Sequence, residues 1–106
     1  MSEALYQQAL ALTALIYRAM ATGDPADGRR LALRKQALDL PARVRRLAQQ
    51  PSTGEVVRLR SSLADFRQWF EEQAAAGAEL PLAEFDLCAG RLSRGLSVLT
   101  GSRPAP

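Results

Sequence analysis

Four stretches of this chain repeat their apolar residues every three or four positions, and each is closed off by glycine, proline or a capping side chain. The first stripe is Leu5, Ala9, Leu12, Ile16 and Met20, and the second is Leu33, Ala37, Leu40, Val44 and Leu47. Val56, Leu59, Leu63, Phe66 and Phe70 form the third; Leu82, Phe85, Ala89, Leu92, Leu96 and Leu99 form the fourth. That period places each set on one face of an α-helix. The punctuation predicts the ends. Gly23 stops the first helix near Ala21, Asp24 caps the second and Pro25 occupies its first position. Ser52 and Glu55 have capping-box spacing, Gly77 suits a left-handed terminator, and Pro81 opens the last helix. Short loops between amphipathic helices predict an all-α, antiparallel up-down-up-down four-helix bundle over residues 1–101, with 102–106 as a flexible tail. At 106 residues the chain suffices for one domain with one core.

Composition narrows the functional classes. There is one cysteine, Cys88, and no histidine. An intrachain disulfide is impossible and a zinc cage lacks ligands, so a cytoplasmic protein without metal or other cofactor is expected. The N-terminus lacks the basic region of a signal peptide. The longest uncharged run, Ala4 to Tyr17, falls short of the roughly 20 apolar residues of a bilayer span, which predicts a soluble chain with no membrane association.

The first helix carries no charge between Glu3 and Arg18, and Tyr6, Leu10, Leu15 and Tyr17 lie off its main stripe. A helix apolar nearly all round is buried on more than one side, and in so small a domain the extra face points to another subunit. The second helix combines two unusual features. Pro41 falls inside its stripe, where it cannot donate to the carbonyl of Ala37 and costs about 3 kcal/mol in a regular helix. Two outcomes fit: a kink, or two shorter helices meeting near Asp39. The same segment holds Arg29, Arg30, Arg34, Lys35, Arg43, Arg45 and Arg46 against Asp27 and Asp39, a net +5 where the whole chain carries +3. A charge run is commonly a solvated face. Here six of the seven are arginine, whose planar fork suits phosphate oxygens, and the pattern fits backbone phosphates of RNA or DNA without base readout.

Leu31 and Leu38 stand seven apart among these charges, as incidental exposed leucines or as a second seam for a neighbouring protein. Trp69 lies on the flank of the third helix, either capping the core edge or anchoring an interface. Tyr6, Leu10, Tyr17, Leu31, Leu38 and Trp69 are therefore the candidate oligomer or partner contacts. Catalysis finds little to work with. The common general base is absent, Cys88 has no activating neighbour in sequence, and the adjacent Glu71 and Glu72 point about 100° apart on a helix.

Several segments resemble the four-helix-bundle proteins of the Avd type, the accessory variability determinants of diversity-generating retroelements, and their relatives encoded in 23S rRNA intervening sequences. The likeness spans roughly residues 6–100 and rests on Tyr17 late in the first helix, "LRKQALDLPARV", "SSLADFRQWFE" and "GRLSRGLSVL". A proline at the position of Pro41 belongs to that pattern. Where the family commonly has Asn after Pro-Ala and then Ala-Glu-Gly, this chain has Arg43 and "RRL" at 45–47. The resemblance implies a non-catalytic, pentameric, positively charged accessory protein that binds a reverse transcriptase and nucleic acid during mutagenic copying. The rival reading from the residues alone is a helical adaptor whose basic surface meets an acidic partner.

Overall fold

The computed structural model describes residues 2–21 and 27–99. Four helices account for nearly all of them: α1 (Ser2–Ala19), α2 (Gly28–Gln49), α3 (Thr53–Ala75) and α4 (Leu82–Leu99). Consecutive helices pack against one another, and α1 closes the ring against α4. Side-chain pairs show the directions. Tyr17 meets Arg34 and Tyr6 meets Arg45, so positions fall along α1 as they rise along α2. Arg29 with Glu72 and Arg43 with Glu55 give the same sense for α2 and α3. Arg67 with Asp86 and Arg60 with Ser93 give it for α3 and α4. The bundle is antiparallel, up-down-up-down.

All of the first three predicted stripes are buried, as are Phe85, Leu92 and Leu96 of the fourth. Leu82, Ala89 and Leu99 pack against this core while partly exposed. Fully burying a side chain of this size contributes about 1.5–3 kcal/mol, so the shared core is the main support of helices whose own propensity is modest.

The caps follow local chemistry. Asp27, not Asp24, caps α2: its Oδ1 accepts from the N–H of Arg29 at 3.0 Å. Gly23, Asp24 and Pro25 lie outside the described residues, as do Gly101 and the tail at 102–106. Ser52 Oγ accepts from the N–H of Glu55 at 3.3 Å, half of the predicted capping box. The other half is replaced, because the Glu55 carboxylate is taken by Arg43 and Arg58. Gly77 has φ 97°, the left-handed conformation open to glycine at low cost, and ends α3 as predicted.

Pro41 does not break α2, which runs continuously from Gly28 to Gln49; the reading of two shorter helices is overturned. The missing proline N–H leaves the carbonyl of the fully buried Ala37 without its helical donor. Thr13 of α1 supplies the replacement: its hydroxyl donates to the Ala37 oxygen at 2.9 Å. A helix defect on α2 is thus repaired by a side chain of its neighbour.

Candidate nucleic-acid and partner interface

The fold sorts the seven basic candidates into three groups. Arg30 is the clearest departure from the sequence reading. It is 6% exposed, and its Nε donates to the backbone oxygen of Met20 at 2.7 Å, just past the end of α1. A cation there satisfies a helix-end carbonyl and complements the negative end of the α1 dipole. Arg30 is a structural cap and has no surface to offer a phosphate.

Two more arginines are tied across to α3. Arg29 donates to Glu72 Oε2 at 2.9 Å, and that hydrogen bond holds its guanidinium more firmly protonated than usual. Arg43 donates to Glu55 Oε1 at 3.0 Å and to Ser62 Oγ at 3.4 Å. Burial pushes the Glu55 carboxyl up, but hydrogen bonds and charges from Arg58 and Arg43 outweigh it and hold Glu55 below the ordinary carboxylate range.

Of the remaining four, Lys35, Arg45 and Arg46 are exposed and Arg34 is half-buried. The guanidinium carbons of Arg34 and Arg45 sit 4.0 and 3.8 Å from the ring centroids of Tyr17 and Tyr6, a cation–π arrangement. Arg34 is half-buried by this, whereas Arg45 stays exposed and reaches Glu3 at 4.0 Å. Lys35 and Arg46 are exposed and, among the described residues, form no ion pair. Arg46 also borders a depression of about 330 Å³ at the α2–α3 corner, with Arg43, Gln50 and Glu55. Arg58, not among the sequence candidates, stands exposed beside Glu55 near this corner and adds positive charge to it.

The interface candidates divide as well. Trp69 is only 2% exposed and meets Phe70 edge-on at 5.6 Å. It is part of the core of this chain and presents no anchor, which corrects its place among the contact residues. Tyr6 and Tyr17 are half-buried beneath their arginines. Leu15 is buried inside the bundle, so part of the apolar excess of α1 is absorbed by its neighbouring helices. Leu10, Leu31 and Leu38 remain 37, 49 and 56% exposed, and Leu10 and Leu38 border one groove where α1 meets α2.

The acids reviewed as a catalytic pair are otherwise engaged, Glu71 with Arg67 and Glu72 with Arg29. Among the described residues no group of three or more His, Cys, Asp or Glu is placed to hold a metal, and no helix is long and apolar enough to cross a membrane. No protein-family model, curated protein or solved structure matches this chain.

Proposed function

We propose that this chain is a non-catalytic binding module that holds the phosphate backbone of RNA or DNA along the outer ridge of α2. The observation that carries this reading is the cluster of Lys35, Arg45 and Arg46, exposed on a helix whose other arginines are committed to the fold. Lys35 and Arg46 meet no carboxylate among the described residues, and Arg45 meets only the exposed Glu3 at 4.0 Å, so these heads can replace counterions on a polyphosphate. Arg58 at the α2–α3 corner extends the positive surface. The sequence resemblance supports the setting: an accessory factor of a retroelement reverse transcriptase, cytoplasmic and assembled as a homo-oligomer, five-fold in the resembled family. Repetition of a weak site around an oligomer raises avidity without new contacts.

Fluorescence anisotropy with labelled single-stranded RNA and duplex DNA, titrated at several salt concentrations, tests the reading. Affinity should be insensitive to sequence and fall steeply with salt. Lys35→Gln with Arg46→Gln should weaken binding and lower the salt slope by about two, one unit for each lost phosphate contact. Both positions lie away from the core stripe, so the melting temperature should hold. No binding by the wild-type chain at low salt, or an unchanged slope in the folded double variant, removes the α2 ridge from nucleic-acid recognition.

A further inference from the structure

A groove of about 520 Å³ runs along the outside of the α1–α2 pair. Tyr6 and Leu10 form its α1 wall, Leu38, Pro41 and Ala42 its α2 wall, and Arg45 closes one side. Leu31, Leu38 and Arg45 follow one another at seven-residue intervals, so they line up along α2, and Leu31 and Leu38 project two turns apart. An apolar side chain every two turns is the spacing at which another helix can seat its own.

The charges around this groove are one-sided. The charges that line it, Arg45 and Arg46, both belong to α2, where Asp39 is the one exposed acid, while α1 carries no charge between Glu3 and Arg18. Glu3, at the end of the groove, already places a carboxylate 4.0 Å from Arg45. We infer that the groove docks an amphipathic α-helix of a partner protein whose apolar stripe meets Leu10 and Leu38 and whose α2-facing flank carries carboxylates. A helix laid in a groove is a recurring mode of recognition, read through anchors at i, i+3, i+4 and i+7. Two other occupants fit less well. A second copy presenting the same face in two-fold symmetry brings one arginine row against another. A nucleic-acid backbone gains nothing from Leu10, Leu38 and Pro41 on the floor. The inference shares Arg45 and Arg46 with the phosphate-binding ridge, and what distinguishes it is its apolar contacts, Leu10 and Leu38, which that ridge does not use.

The test uses a labelled synthetic helix about as long as α2, with leucine at heptad positions, glutamate on one flank and glutamine on the other. Its counterpart replaces every glutamate with lysine. The glutamate peptide should bind the full chain in anisotropy titrations at least about tenfold more tightly than the lysine peptide, one such factor corresponding to about 1.4 kcal/mol. Leu38→Glu should reduce that binding by a similar factor or more, and Leu10→Gln by less. Both substituted residues are exposed, so circular dichroism should be unchanged. Equal binding of the two peptides, or none, overturns the inference. So does a Leu38→Glu variant that keeps peptide affinity. If Leu38→Glu instead dissolves a self-associated species in light scattering while the peptide never binds, the groove belongs to a second copy. If the variant loses RNA affinity and the peptide never binds, it belongs to nucleic acid.

Discussion

The bond from Thr13 to the Ala37 carbonyl makes a quantitative prediction about why α2 tolerates its proline. Thr13→Val keeps the side-chain shape and removes the hydroxyl. The Ala37 oxygen then has neither a donor at position 41 nor the one it had on α1, and Ala37 is fully buried. Leaving such an acceptor unpaired costs about 1–3 kcal/mol. The added methyl recovers at most about 0.8 kcal/mol at this half-buried site, and threonine and valine differ little in helix propensity. With the full recovery the net loss is about 0.2–2 kcal/mol, which for a domain near this size lowers the melting temperature by about 4–8 °C per kcal/mol. Pro41→Ala restores an N–H to position 41, so the Ala37 carbonyl regains a helical partner. In that background Thr13→Val should cost little, and a double-mutant cycle should give a coupling of about 1 kcal/mol. Thermal and urea unfolding followed by far-UV circular dichroism measure all four corners. Equal costs of Thr13→Val in both backgrounds would refute the repair, since the threonine would then be stabilising something other than the proline's orphaned acceptor.

Three further outcomes follow from other contacts. Arg30→Met should destabilise by about 1–3 kcal/mol through loss of the charged bond to Met20, while Arg46→Met stays within about 0.5 kcal/mol in the same unfolding assay; equal small shifts would return Arg30 to the surface. Glu55 and Asp86 both titrate below their ordinary values: Asp86 through its hydrogen bond from Arg67, Glu55 because Arg58 and Arg43 outweigh its burial. A carboxyl depressed in the folded state adds stability above its unfolded pKa of about 4 and loses it as pH falls through the lower folded value. Glu55→Gln and Asp86→Asn should therefore flatten acid unfolding below about pH 4, and a curve as steep as that of the wild type would count against the pairs. Gly90→Ala should raise stability by up to about 1 kcal/mol, because its new methyl meets only Arg94 Nη1 at 3.4 Å. Gly95→Ala should gain nothing or lose, since its Cβ would lie 2.4 Å from Leu5 Cδ1; matching gains at both positions would show that Leu5 yields freely.

The buried stripes were legible because a period near 3.6 needs no knowledge of neighbours. Trp69 was harder to read. It lies about 100° round α3 from Phe70, outside the stripe, yet one heptad beyond Ser62, which faces Arg43 of α2. A helix with neighbours on two sides buries a wider arc than its central row, and which flank is covered depends on tertiary arrangement. The arginines failed to sort for the same reason. Arg29 and Glu72, or Arg43 and Glu55, become partners only once α2 and α3 are side by side. Arg30 and Arg46 look alike in the chain; what separates them is that Arg30 sits where α1 ends and leaves a carbonyl exposed. The replacement of Asp24 by Asp27 as the α2 cap is a choice between two aspartates three residues apart, each with capping chemistry.

Helices as broadly apolar as α1 have many nearly equivalent ways to slide along a neighbour, because leucine and alanine fit most holes. The Thr13–Ala37 bond removes that freedom. A shift of α2 by one turn, about 5.4 Å, would carry the orphaned carbonyl away from the Thr13 hydroxyl and would pull both stacked guanidinium groups off their rings together. Proline at position 41 thus acts less as a defect than as a key that fits a single alignment. It discriminates among packings that hydrophobic burial alone would leave nearly degenerate.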